Sequence, residues 1–227
     1  MKSKKNHKLV VVAHPDDETL FFAGLMLTDR KQDWHVICVT DGNADGLGEQ
    51  RHQQFANACK KLGVKKFDFL NLPDHYESRL NLGQIKTKLK LFPMPREVYT
   101  HGPIGEYGHP HHQDVSVAVH EYFGLEVPVW GVAQNCSPDR VIRLRRDMYQ
   151  IKCDILANIY FGETQRFIHF VQNYFYEGFC KFDLVEVRAL YAYFNDMRTQ
   201  PPVKLKKYKW FRPYLEPFKN NLKKRIF

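Results

Sequence analysis

Lys8-Leu9-Val10-Val11-Val12-Ala13-His14-Pro15-Asp16-Asp17-Glu18-Thr19-Leu20-Phe21-Phe22-Ala23-Gly24-Leu25-Met26-Leu27 is the stretch that decides the fold. Its opening residues, Lys8 to Ala13, form a β-branched run of strand length. From Thr19 to Arg30 apolar residues recur at helical spacing, at Leu20, Phe21, Ala23, Gly24 and Leu27. A strand hands over to a helix, and the polar residues sit at the junction. The unit recurs further along: Trp34 to Thr40 reads as strand and Gly48 to Leu62 as helix, stopped by Gly63. Phe67 to Leu70 then reads as strand and Leu82 to Phe92 as helix. Glu97 to Thr100 and Val127 to Val132 are two further strands. Strands alternating with helices predict an α/β fold, a Rossmann-like three-layer sandwich with a mainly parallel sheet, whose ligands bind beyond the carboxyl ends of the strands.

The chemistry-bearing residues follow that rule. After the first strand comes Ala13-His14-Pro15-Asp16-Asp17-Glu18. After the strand at Glu97 to Thr100 comes the run from His101 to His112, and five of the eleven histidines lie between positions 101 and 120. In a first helical turn residues i and i+3 point the same way, so His14 and Asp17 can chelate one metal ion while Asp16 is left as a free carboxylate beside it, placed for a general base. His109 and His112 repeat the spacing behind Pro110, a good first helical residue, so one can bind metal while the other faces substrate. Two histidines, one carboxylate and an open position match a catalytic zinc site. His101 and His120 read as hydrogen-bonded structural histidines, and Glu18 as a supporting or helix-capping carboxylate.

Composition bounds the rest. The chain has 227 residues, 44% of them hydrophobic and 14% aromatic, which supplies a core for one ordinary domain and excludes global disorder. No apolar run approaches the ~18–20 residues of a membrane span, and Leu9 to Ala13 is too short for a signal-peptide core, so a cytoplasmic location is expected. The cysteines, Cys38, Cys59, Cys136, Cys153 and Cys180, are scattered and odd in number, and read as reduced, mostly buried thiols. Of the net charge of +9, residues 204–227 carry +8, from nine basic residues and Glu216. The first 203 residues are therefore nearly neutral, which removes the footprint of a nucleic-acid binder. This suggests a division into a body, residues 1–203, and a basic tail, 204–227, in which Tyr208, Trp210, Phe211, Tyr214, Phe218 and Phe227 alternate with lysine and arginine. Two readings of that tail stand side by side: peripheral contact with an anionic membrane, and a docked segment whose aromatics pack on the body.

The two motifs, Ala13-His14-Pro15-Asp16-Asp17-Glu18 and Gly108-His109-Pro110-His111-His112, resemble the PIG-L/LmbE-like deacetylase family, zinc-dependent enzymes that remove acetyl groups from N-acetylglucosamine-type sugars. The resemblance runs over roughly residues 8–180, through Gly48-Glu49-Gln50-Arg51, Phe69-Leu70-Asn71-Leu72-Pro73-Asp74 and Thr100-His101-Gly102, and more weakly Tyr160 to Gln165, with Thr164 where a serine is frequent. It implies zinc held by His14, Asp17 and His112, Asp16 as general base, and His109 as general acid or oxyanion stabiliser. It also implies Arg51 against the sugar, Tyr107 near the oxyanion, and an N-acetylated sugar or glycoconjugate of a surface glycan or glycolipid pathway as substrate. One position departs from the family: His111 stands where many members carry an aspartate that orients the general-acid histidine, leaving that job to Asp114 or another carboxylate. A metal-dependent phosphoesterase and a non-catalytic sugar-binding module are the rival readings.

Overall fold

The computed structural model describes residues 7–219 apart from residue 77. Seven strands form one sheet in the order β3-β2-β1-β4-β5-β7-β6. They are β1 (His7–Val12), β2 (Asp33–Thr40), β3 (Lys66–Leu72), β4 (Glu97–Thr100), β5 (Val129–Val132), β6 (Arg140–Arg143) and β7 (Tyr176–Cys180). The first five are parallel; β7 runs antiparallel to β5, and β6 antiparallel to β7. The helices are α1 (Asp17–Thr28), α2 (Gly48–Leu62), α3 (Leu82–Leu89), α4 (Pro110–Phe123), α5 (Arg146–Asn158), α6 (Phe161–Thr164) and α7 (Leu184–Phe194).

The β-branched run in β1 is explained by burial on both faces, as expected of a central parallel strand. Val10 and Val12 face a core built with Phe22 and Met26 of α1, Phe55 and Leu62 of α2, and Ile155 of α5. Leu9 and Val11 face the opposite core, with Ile85 and Leu89 of α3 and Val115 and Val119 of α4. Chain order reverses at β1, which pairs with β2 on one side and β4 on the other. The crevice beyond the carboxyl ends of β1 and β4 is thus the switch point of the sheet, and both sequence motifs open into it.

Several boundaries differ from the sequence reading by one to three residues, among them those of the first and third helices and of the third and fifth strands. The first helix begins at Asp17, so His14 lies in the turn before it rather than in its first turn. The third helix ends at Leu89, short of Phe92, because Pro93 disfavours helical backbone in the residue before it.

A buried ion pair pins α1 to the antiparallel end of the sheet. Glu177 of β7 accepts from the Gly24 and Leu25 amides at 2.8 and 2.9 Å, while Lys152 of α5 reaches the Leu20 carbonyl at 2.7 Å and Glu177 at 2.9 Å. Gly24 permits this approach, since a Cβ there would lie 3.0 Å from the Glu177 carboxyl carbon. Both charged side chains are almost fully buried, so losing either partner alone would cost about 3–5 kcal/mol.

Residues 204–219 pack into a third core. Leu205, Tyr208, Phe211 and Leu215 are buried against Val187, Leu190, Tyr193 and Phe194 of α7. Glu186 accepts from the Lys207 and Tyr208 amides, and Lys206, Lys207 and Lys219 pair with Asp183, Asp139 and Asp196. Trp210 and Tyr214 stay exposed. Lys223, Lys224, Arg225 and Phe227 lie outside the described residues. All five cysteines are free thiols, and Cys38, Cys59 and Cys180 are buried. No helix among the described residues is long and apolar enough to cross a membrane.

Candidate metal and active site

At the end of β1 the chain turns through Asp16, whose φ of 118° is rare for a residue with a side chain. Four hydrogen bonds hold this strained turn. The Asp16 carbonyl accepts from Thr19 and Leu20, both at 2.9 Å; its amide donates to Glu18 at 3.0 Å; and Arg51 of α2 donates to the Pro15 carbonyl at 2.8 Å. Glu18 is buried and also accepts from Thr19 and Tyr160, so it supports the turn as the sequence suggested. Burial pushes its carboxyl up to about 7.

The turn separates two adjacent carboxylates. Asp17 accepts the His14 amide at 2.8 Å, and its oxygens stand 3.4 Å from His14 Nδ1 and 3.3 Å from His112 Nε2. Burial alone would raise Asp17, yet His112 and His101 beside it hold it well below the usual carboxylate range. Asp16 faces the other way: burial, with Asp17 and Glu18 adding to it, raises its carboxyl well above that range against the pull of Arg51. Environments that push two neighbouring acids apart assign them separate roles.

The second motif enters from β4. Gly105, Glu106 and Gly108 all have positive φ, folding the loop so that Glu106 turns back beneath the histidines. Glu106 accepts from His112 Nδ1 at 2.6 Å, His101 Nδ1 at 3.0 Å and the Gly102 amide at 2.8 Å. With Nδ1 so engaged, the lone pair of His112 lies on Nε2, which is buried without a hydrogen-bond partner among the described residues. A histidine held by one carboxylate through Nδ1, with its Nε2 lone pair turned toward a second carboxylate, could serve as a metal ligand. His101 also accepts the Ala13 amide at 2.9 Å, and His120 bonds to the Ser116 carbonyl at 2.7 Å, both structural roles.

Among the described residues, three groups of side chains bring ligand atoms within 4.8 Å of one another: His14, His109 and His112; Asp17, His101 and His112; and His14, Asp74 and His111. The three ligands implied by the resemblance are not themselves one of these groups, but Asp17 lies beside both of the others, with one oxygen 3.4 Å from His14 and the other 3.3 Å from His112. His14 and Asp17 line a cavity of about 410 Å³, the size of a small-molecule site, with Asp16, Arg51, Tyr107 and His109 also on its wall.

His109 is the N-cap of α4 and accepts the His111 amide on Nδ1 at 3.2 Å, so the neutral ring carries its proton on Nε2. Burial, together with the rings of His112, His14 and His111, holds it well below the usual histidine range. Asp114 does not orient it: its oxygens are taken by the Leu80 amide, the Tyr191 hydroxyl and Arg79. Arg51 is buried, within 3.5–3.8 Å of Asp16, Asp74 and Glu163. Tyr107 packs its ring near His109 and His112.

Sequence reasoning gave no role to Glu106, Asp74 or Glu163, although each stands inside a quoted segment. The signal for Glu106 was the glycine on one side and the Tyr107-Gly108 pair on the other, which mark a tight loop able to return a carboxylate to the histidines.

The family description GlcNAc-PI de-N-acetylase, PIG-L, matches residues 9–123. The Bacillus subtilis protein named probable N-acetyl-alpha-D-glucosaminyl L-malate deacetylase 2 is 32% identical over 132 residues, 51% of this chain and 59% of that protein. Uncharacterized protein L374 of Acanthamoeba polyphaga mimivirus is 29% identical over 133 residues, 52% of this chain and 58% of that one. The matches span somewhat over half of these relatives' lengths. Among solved structures, N,N'-diacetylchitobiose deacetylase from Pyrococcus horikoshii superposes with a TM-score of 0.56 at 18% identity, covering 80% of this chain and 85% of that one, a likeness of fold. With both motifs inside the matched residues and converging on the switch point of the sheet, the chain belongs to the PIG-L family.

Proposed function

We propose that this protein is a zinc-dependent hydrolase that removes the acetyl group from an N-acetylated amino sugar or its glycoconjugate. The observation that carries the reading is the divided pair of carboxylates, Asp17 against His14 and His112 and Asp16 against Arg51, beside a His112 whose Nδ1 is held by Glu106. His14, Asp17 and His112 would hold the metal, and two imidazoles among three ligands favour zinc over magnesium or manganese. When bound, the ion supplies Lewis acidity toward water and the acetamide oxygen. Asp16, with its raised affinity for a proton, takes one from the attacking water. His109, through Nε2–H, and Tyr107, through its hydroxyl, donate to the carbonyl oxygen as charge gathers there, and the departing amine receives the proton that Asp16 took. Arg51 braces the Pro15-Asp16 turn and contacts the sugar at the cavity wall.

The reading extends to surface glycan or glycolipid biosynthesis. It is supported by the family description and by exposed Trp210 and Tyr214 beside Lys209 and Arg212, side chains suited to the face of an anionic membrane. One observation favours phosphoester hydrolysis as a second reading: the His14, Asp74 and His111 group could complete a two-metal site. A panel of N-acetyl sugars assayed for acetate, set against sugar phosphates assayed for phosphate, separates the two. Acetate with an equal amount of free amine is expected. Phosphate release without acetate would transfer the site to the second reading, and neither product would leave a binding module.

A further inference from the structure

His111 stands between the two histidines of the second motif, and its contacts give it a task of its own. Its ring is buried and bonds at both nitrogens: Nε2 lies 2.9 Å from the Ser78 carbonyl, and Nδ1 lies 3.0 Å from His14 Nε2. A carbonyl oxygen only accepts, so His111 carries a proton on Nε2 and, in the neutral ring, a lone pair on Nδ1. His14 must then donate through Nε2–H. Its own lone pair is left on Nδ1, which stands 3.4 Å from Asp17, on the side facing the other implied ligands. His14 Nδ1 lies 3.4 Å from one Asp17 oxygen and His112 Nε2 lies 3.3 Å from the other, so the carboxylate stands between the two imidazoles.

We infer that His111 is the positioning residue of the metal ligand His14: the relay from His14 Nε2–H to His111 Nδ1, and from His111 Nε2–H to the Ser78 carbonyl, fixes the tautomer in which His14 offers Nδ1 to the metal. Glu106 does the same for His112. The two imidazole ligands are thus held by partners of different kinds, a carboxylate for one and a second imidazole anchored on backbone for the other. Asp74, 3.5 Å from His111 Nδ1 and 3.6 Å from His14 Nε2, completes a group that resembles a second metal centre. The relay argues against one. A second ion held by His14 Nε2 and His111 Nδ1 would take the place of the hydrogen bond between those two atoms, which lie 3.0 Å apart.

This inference rests on His14 being a metal ligand. Zinc alone is the probe, with affinity and stoichiometry measured on the full chain by competition with a chromophoric chelator. Wild type is expected to bind one zinc, His111→Leu to bind ~10–100-fold more weakly, and His111→Asn, whose amide oxygen falls near the place of Nδ1, to recover most of that loss. In addition, nitrogen-15 spectra of the zinc-loaded wild type should show protons on Nε2 of both His14 and His111, a readout that does not depend on any variant folding. Unchanged affinity in His111→Leu, a proton on His111 Nδ1, or a second zinc lost in His111→Leu would each overturn the relay. Unchanged affinity in His14→Ala would instead overturn the ligand assignment on which it rests.

Discussion

Asp16→Asn is expected to lower acetate release by ~10²–10⁴-fold while leaving zinc content and thermal midpoint close to wild type. The amide has the shape of the carboxylate and keeps an oxygen for Arg51, 3.5 Å away, but it cannot take a proton from water at neutral pH. The neighbouring change Asp17→Asn should act differently, because Asp17 faces His14 and His112: zinc is lost first, and activity with it. Measuring bound zinc and turnover on both variants checks the division of labour. Near-normal turnover in Asp16→Asn would remove Asp16 from the chemistry. Equal zinc loss in the two would show that the turn does not separate them.

A loss of folding, not of chemistry, is expected from deletion of residues 204–227. Four side chains of that segment, Leu205, Tyr208, Phe211 and Leu215, are buried against α7, and at about 1.5–3 kcal/mol each their removal is comparable to the whole stability of a typical domain, about 5–15 kcal/mol. The deletion also strips buried Glu186 of the two backbone amides it accepts from. Circular dichroism and thermal unfolding of the truncated chain should show no cooperative transition near that of the full chain. A truncated protein that unfolds cooperatively at the full-length midpoint would show that the segment contributes little to the core.

The sequence carried the parallel half of the fold because each of its signals was local. The double-sided burial of β1 shows as an unbroken β-branched run, α2 ends at Gly63 with φ of 78°, and the strand ends are marked by polar motifs. The antiparallel half was hidden. β6 is a four-residue strand with arginine at both ends and half its residues exposed, and β7 contains Gly178 and the buried Glu177, so neither has the alternation that marks a strand. At the site, the residues that bear the chemistry were readable from their types and from the family resemblance. The residues that aim them were not. Glu106 acts through a loop of positive φ, Lys152 and Glu177 meet across elements distant in sequence, and the partner of His111 is the Ser78 carbonyl, a backbone group that no side-chain motif encodes. Strain at Asp16 has the same origin: Pro15 signals a turn, but the sign of the next φ is set by Glu18 and Arg51, which hold the turn from two helices.

The central claim, one zinc centre that drives deacetylation, is tested most directly by titrating zinc into chelator-stripped protein and following the rate of acetate release from an N-acetylated sugar. The rate is expected to rise from near zero in proportion to added zinc and to level off at one equivalent per chain. Acetate release that is undiminished without metal, or that requires two equivalents to reach its plateau, would contradict it.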